Sequence, residues 1–252
     1  MAELIIALDY PHAEQALSMA RAVRGKAAWV KIGLELFTAA GPRVVTDMKE
    51  LGLKVFLDLK FHDIPNTVLG AVRSAAALGA DMLTLHASGG RAMLEAAREA
   101  SLASPQAPLL FAVTVLTSMS AEDTALLGRS DVPELVRDLA RASAQVGLDG
   151  VVCSAQEARL VKDDSRGRLA CLTPGIRLTA STGGQGADDQ KRVANPAFAV
   201  SQGSDYLVVG RPITASPDPA AAIQAFLHAM ADTGPAKARP LQDNPKDEAW
   251  NG

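Results

Sequence analysis

Long hydrophobic runs are missing from this chain. No uninterrupted apolar stretch reaches the ~18 residues that a membrane span needs, so a spanning helix is not expected. Cysteine is scarce. Cys153 and Cys171 are the only two, they sit in apolar runs without metal-ligand spacing, and they read as free buried thiols of a reducing cytoplasm. Neither charge sign dominates: 25 basic residues stand against 28 acidic ones, a formal net charge of -3. With no basic run and no basic patch interleaved with aromatics, that balance excludes an electrostatic nucleic-acid binder. A Gly-x-Gly-x-x-Gly phrase after an early strand is absent as well, which weakens an open dinucleotide-binding sheet. At the N-terminus there is no basic segment. Glu3 leads straight into Leu4-Ile5-Ile6-Ala7-Leu8, which reads as a first strand and not as a secretory signal.

The 252 residues are 48% hydrophobic and 21% charged, the balance of an ordinary soluble globular chain. Short runs of strand formers alternate with amphipathic helical patterns almost from end to end. Strands are expected at Leu4–Leu8, Ala28–Ile32, Leu53–Leu59, Met82–His86, Leu109–Val115, Gly150–Cys153, Ala170–Thr173 and Tyr206–Val209. Helical periodicity covers His12–Val23, Glu35–Leu51, Pro65–Leu78, Gly90–Ala103, Pro133–Val146, Ala155–Lys162, Asp188–Gln202 and Pro217–Met230. Ser154 ahead of Glu157 and Asp131 ahead of Pro133 mark helix starts. A phrase recurs before strands four, six and eight: Leu78-Gly-Ala-Asp81, Val146-Gly-Leu-Asp149 and Gln202-Gly-Ser-Asp205. Eight strands, each followed by a helix, predict a single-domain α/β chain, a closed (β/α)₈ barrel over residues 1–233. An open doubly wound sheet is the runner-up. From Gly234 to Gly252 the composition turns to three prolines and six charges that sum to zero, which predicts a flexible tail.

Barrel active sites form where the strands end, and there the polar residues collect. Asp9 follows strand one and Lys31 lies in strand two. Strand three ends in Asp58-Leu-Lys60-Phe-His-Asp63-Ile-Pro65, strand four in His86, and strand five runs into Thr114 and Thr117. Strand seven ends in Thr173-Pro-Gly-Ile-Arg177 and strand eight in Gly210-Arg211. Charged side chains are rarely buried unless paired. Alternation puts Asp58 and Lys60 on one face, roughly 7 Å apart along the strand. A structural ion pair at the rim could account for any one of these residues, but not comfortably for so many. Gly210-Arg211 occupies the usual phosphate position of barrels, where a glycine admits the backbone close to a phosphate and an arginine fork binds it. A plain β–α turn with a surface arginine is the alternative. His86 reads as either a proton shuttle or a satisfied core histidine, and His62 as a residue that orients its loop.

The stretch Asp58-Leu-Lys-Phe-His-Asp63-Ile-Pro-Asn-Thr67 closely resembles the signature of the orotidine 5'-phosphate decarboxylase family. Ala7-Leu-Asp9, Val30-Lys31-Ile-Gly33, Val113-Thr-Val-Leu-Thr-Ser118, Thr173-Pro-Gly-Ile-Arg177 and Val209-Gly-Arg-Pro-Ile213 follow the family's pattern in the same order. The resemblance spans roughly residues 3 to 231. It implies a (β/α)₈ homodimer that converts orotidine 5'-monophosphate to UMP and CO₂, the last step of pyrimidine synthesis, with no metal and no organic cofactor. Carried over by motif, Lys60 is the proton donor to C6 of the pyrimidine and Asp58 lies near the substrate carboxylate. Lys31 and Asp9 contact the ribose, Thr117 the pyrimidine, and Arg177, Gly210 and Arg211 the phosphate. Asp63 and Thr67 reach into the partner subunit's site. The family's glutamine stands directly before a basic pair, which selects Gln190 in Asp188-Asp-Gln190-Lys-Arg192 over Gln185. The Thr179–Ala187 stretch is a few residues longer than the family's usual loop.

That chemistry explains the residue types. Loss of CO₂ from C6 leaves a localised carbanion with no carbonyl placed to delocalise it, so the charge must be stabilised electrostatically and then protonated. An ammonium beside C6 does both, and flanking carboxylates keep it protonated. Two other readings are expected to fail. A metal-dependent sugar-phosphate decarboxylase or aldolase on a related barrel shares the Asp-x-Lys-x-x-Asp spacing but carries an acidic metal ligand where this chain has Lys31. A catalytically inactive nucleotide-binding barrel has no reason to keep every one of these charges.

Overall fold

The computed structural model describes residues 1–126, 128–178 and 192–232. The expected tail from Gly234 onward, and the long stretch after Arg177 that includes Gln185 and Gln190, lie outside the described residues. The strands are β1 (Glu3–Ala7), β2 (Trp29–Gly33), β3 (Lys54–Phe61), β4 (Met82–His86), β5 (Leu109–Val113), β6 (Gly150–Val152), β7 (Ala170–Thr173) and β8 (Tyr206–Val209). All pair in parallel with their sequence neighbours, and β8 returns to β1 to close the barrel. Around it run α1 (Ala13–Val23), α2 (Leu34–Ala40), α3 (Arg43–Glu50), α4 (Pro65–Ala77), α5 (Arg91–Leu102) and α6 (Ala121–Ala125). The circuit ends with α7 (Val132–Gln145), α8 (Ala155–Asp164), α9 (Pro196–Ser201), α10 (Arg211–Thr214) and α11 (Pro219–Ala231).

Every expected strand is present, β4, β7 and β8 with the expected bounds and the others with ends shifted by a residue or two. The helices depart from expectation at two places. The helix expected over Glu35–Leu51 is two, α2 and α3, because Gly41 takes the left-handed region at φ 69° and Pro42 restarts the chain. The helix expected from Asp188 has its described part only from Pro196, where the Asn195 side chain accepts the Phe198 N–H at 2.7 Å. Residues before a proline are steered away from helical backbone, and Ala194 instead bridges to Ile176. The short helices α6 and α10 and a turn of 3-10 helix at Ala87–Gly89 were not foreseen.

Outward-facing strand residues such as Ile6, Val30, Leu57, Leu83 and Val151 pack beneath the helices. Inward-facing Ile5, Trp29, Phe56, Met82, Phe111, Leu172 and Val208 plug the barrel interior. Tyr206 stands edge-on to Trp29 and Phe111, with centroids 5.9 and 5.5 Å away. Gly150 makes that plug possible, because a Cβ there would meet the Phe111 ring at 2.3 Å and the Ala170 carbonyl at 2.5 Å.

The repeated Gly-x-Asp phrase now has a physical reason. Asp81, Asp149 and Asp205 each begin the approach to an even-numbered strand and accept a backbone N–H of the strand before it: Val55 at 2.7 Å, Leu110 at 2.8 Å and Cys171 at 2.7 Å. Each also meets a cation from an outer helix, Lys49 at 2.7 Å, Arg98 at 3.2 Å and Lys162 at 2.7 Å. The bottom of the barrel is thereby stitched strand to strand and strand to helix. Among the described residues no helix is long and apolar enough to cross a membrane.

Candidate active site

The carboxyl ends of the strands surround a cavity of about 500 Å³. Its floor is apolar (Ala7, Phe56, Val113, Val152, Leu172, Val208), being the upper surface of the interior plug. Its walls carry Asp9, Lys31, Asp58 and Lys60 on one side and Thr117, Arg177, Gly210 and Arg211 on the other. The register makes these neighbours: Lys31 pairs with Ala7 and Phe56, and Gly33 with Asp58.

On the first side the charges alternate in a chain. Lys31 Nζ lies 2.7 Å from Asp9 Oδ1 and 3.8 Å from Asp58 Oδ2, and Lys60 Nζ donates to Asp58 Oδ1 at 2.8 Å. A unit-charge pair near 4 Å interacts by about 4 kcal/mol at an effective dielectric constant of about 20. Burial alone would push the Asp58 carboxyl up. The Lys31 and Lys60 charges, together with hydrogen bonds from Lys60 and Thr84, outweigh it and hold the carboxyl below its ordinary value. Gly33 leaves room for this pairing, since a Cβ there would sit 3.0 Å from Lys31 Nζ and 3.4 Å from Asp9 Oδ1.

Simple strand alternation is not what brings Asp58 and Lys60 together. The β3–β4 register jumps from Leu57↔Leu83 to Phe61↔Leu85, so Asp58, Leu59 and Lys60 face Thr84 alone. Within this bulge Lys60 has φ 50°, a left-handed backbone that costs a non-glycine residue about 1–2 kcal/mol. The Lys60 N–H donates to Thr84 Oγ1 at 2.9 Å, and the same hydroxyl donates to Asp58 Oδ1 at 2.8 Å. Bulges of this kind re-aim side chains beside active sites. Thr84 escaped the sequence reading: in Met82–His86 it looks like one more strand former.

On the opposite side the groups ride on loops. Arg177 follows β7, where its N–H donates to the Ala194 carbonyl while the Ala194 N–H donates to Gly175, clamping the two ends of the intervening loop. Arg211 opens α10 and is exposed. Thr117 lies in the loop after β5, whereas Thr114 is a buried structural residue that donates to the Val152 carbonyl at 2.9 Å. Arg192 and Glu157 form a second pair that sequence reasoning missed. The Glu157 carboxylate is buried at the start of α8, accepts the Ser154 N–H at 2.9 Å and is ion-paired to Arg192. Arg192 also donates to the Leu116 carbonyl at 3.0 Å, tying the segment before α9 to the Thr117 loop.

Other expected residues stand apart. Asp63 and Thr67 are exposed and do not line the cavity. The Asp63 carboxylate accepts the Ile64 N–H at 2.6 Å, and Thr67 lies in the first turn of α4. The His62 and His86 rings lie against each other, centroids 5.2 Å apart and planes tilted by 35°, also away from the cavity lining. Burial, then the His62 and Lys60 charges, lower the His86 pKa against the opposing pull of Asp58. Cys153 and Cys171 are buried and free, and the Cys171 contact with burial pushes the Cys153 thiol well up.

A family described as "Orotidine 5'-phosphate decarboxylase / HUMPS family" matches residues 2–226. The chain is 53% identical to an orotidine 5'-phosphate decarboxylase of Nitratidesulfovibrio vulgaris over 235 residues, covering 92% of this chain and 98% of the relative. It is 52% identical to the enzyme of that name from Maridesulfovibrio salexigens, covering 91% and 99% of the two chains. Among solved structures, the orotidine 5'-phosphate decarboxylase of Lactobacillus acidophilus superposes with a TM-score of 0.80 at 35% identity, covering 91% of this chain and 99% of that one.

Proposed function

The chain belongs to the orotidine 5'-phosphate decarboxylase / HUMPS family, and from that premise we propose that it converts orotidine 5'-monophosphate to UMP and CO₂. It is a carboxy-lyase of pyrimidine biosynthesis. The observation that carries this reading is the alternating Asp9–Lys31–Asp58–Lys60 chain at the mouth of an apolar-floored cavity, with arginines on the facing rim.

In the proposed reaction the C6–carboxylate bond breaks and its electron pair stays on C6. The Lys60 ammonium faces that charge and stabilises it, then delivers a proton to C6 and is reprotonated from solvent. Its position is set before substrate arrives, because Lys60 is already ion-paired, and little reorganisation is left for the barrier. Asp58 beside the substrate carboxylate adds a repulsion that ends when CO₂ leaves, a smaller contribution. Lys31 and Asp9 hold the ribose, Thr117 meets the pyrimidine, and Arg177, Gly210, Arg211 and Gln190 take the phosphate. Binding energy from the phosphate drives closure over the reacting ring.

The active unit in this reading is a homodimer, with Asp63 and Thr67 completing the partner's site. Supporting it, both residues are exposed outside their own cavity, and large apolar side chains stand in solvent at Ile64, between them in sequence, at 67%, and at Leu34, the first residue of α2, at 57%. A stable monomer with full activity would overturn this assembly. A cytoplasmic setting accords with the two free thiols.

The test is release of CO₂ from orotidine 5'-monophosphate, with EDTA present to separate the reaction from metal-dependent decarboxylase or aldolase chemistry. Lys60→Ala should lower kcat by several orders of magnitude while the fold survives. Near wild-type turnover in that variant would remove Lys60 from the mechanism, and tight UMP binding without CO₂ release by the unaltered chain would make it a nucleotide-binding barrel.

A further inference from the structure

We propose that Thr84 is a positioning residue for decarboxylation, acting through both Lys60 and Asp58 although it is absent from the cavity lining. This rests on the reading that Lys60 is the proton donor. Thr84 is fully buried on β4, directly opposite the bulge of β3.

The polarity of its two hydrogen bonds is dictated. A backbone N–H can only donate, so the Thr84 oxygen accepts from Lys60. A hydroxyl has a single proton, and at 2.8 Å from Asp58 Oδ1 that proton is directed to the carboxylate. The same oxygen of Asp58 accepts from Lys60 Nζ, which closes a ring through Lys60 backbone, Thr84 hydroxyl, Asp58 carboxylate and Lys60 ammonium. Two consequences follow. The hydroxyl replaces the strand partner that the bulge takes from the Lys60 N–H, and so holds the left-handed backbone from which the lysine stem starts. By donating to Asp58 it favours the ionised carboxylate, the form that keeps Lys60 charged. Serine could supply the hydroxyl. Valine matches the shape of threonine but supplies neither bond.

Thr84→Val, Thr84→Ala and Thr84→Ser are compared for kcat, KM, the pH dependence of kcat/KM and thermal midpoint, with Lys60→Ala as reference. Displacement of a reacting group by about 1 Å costs on the order of 100-fold, so Thr84→Val should lose about 10–100-fold in kcat with little change in KM. Its acid limb should move to higher pH, because Asp58 has lost a donor. Thr84→Ser should recover kcat to within a few-fold and restore the limb. Thr84→Ala should behave as the valine variant does and stands in for it if valine does not fold. Wild-type kcat with an unmoved acid limb in Thr84→Val or Thr84→Ala overturns the inference, as does a serine variant no better than valine. If Lys60→Ala remains active, the underlying reading fails instead.

Discussion

Both ends of this barrel carry aspartate–cation pairs, and the two sets differ in what else the carboxylate holds. At the bottom, Asp81, Asp149 and Asp205 each accept a strand N–H as well as a Lys or Arg, so the carboxylate is spent on backbone and cation together. At the top, Asp9 and Asp58 alternate with Lys31 and Lys60, and all four face the cavity. The bottom pairs recur with the strands and belong to folding. The top chain breaks the periodicity, has its Asp58 and Lys60 members in a backbone bulge and leaves its charges facing the space where substrate would lie. Pairing therefore does not distinguish structure from chemistry, but the remaining bonds of the carboxylate do. Glu157–Arg192 tests the rule. It lies on the loop side of the barrel, yet its carboxylate holds a backbone N–H and a cation together, as the bottom aspartates do, and it is absent from the cavity lining, which assigns it to structure.

The contrast can be broken most directly at Asp58. Asp58→Asn should cut kcat by about 100–1,000-fold, the scale seen when one preorganised electrostatic group is removed, with circular dichroism unchanged; turnover near wild type would erase the distinction. Glu157→Gln should act in the opposite sense. It leaves the Arg192 charge without its counterion and should destabilise the fold by about 3 kcal/mol, read from denaturant unfolding, with a small effect on kcat once folded. Asp81→Ala should cost about 2 kcal/mol by stranding the Val55 N–H and Lys49; a loss of kcat greater than the loss of stability would blur the two classes.

The smallest effect concerns pH. The His86 pKa is lowered from 6.5 in the folded chain, so below that value the unfolded chain takes up a proton that the folded chain declines. Stability should be full above pH 6.5 and fall as pH drops toward the folded value. In His86→Gln the thermal midpoint should vary less over that window, and an unchanged slope would assign the acid sensitivity to other groups.

Much of this was readable in one dimension, for identifiable reasons. Local periodicity reports strands and helices, and eight alternations imply closure. Gly41-Pro42 was a readable breaker that the continuous apolar pattern of Glu35–Leu51 concealed. Lys31, Asp58 and Lys60 stood out because charges at the ends of apolar strands conflict with burial. Thr84 raised no such conflict, since threonine suits a strand, and its value depends on facing a bulge that only strand pairing reveals. Arg192 served as a landmark in a basic pair, while its buried partner Glu157 read as a helix cap.

By itself the sequence determined the barrel, the order of its strands and the set of charged residues brought to its mouth, because hydrophobic period and chain order act locally and burial penalises stray charge. Only the tertiary structure decided which carboxylates are saturated by backbone and which face the cavity. It also decided that Lys60 reaches Asp58 through a left-handed bulge held by Thr84. Those outcomes depend on register between strands, and a hydrogen bond across a register shift has no signature in the order of residues along the chain.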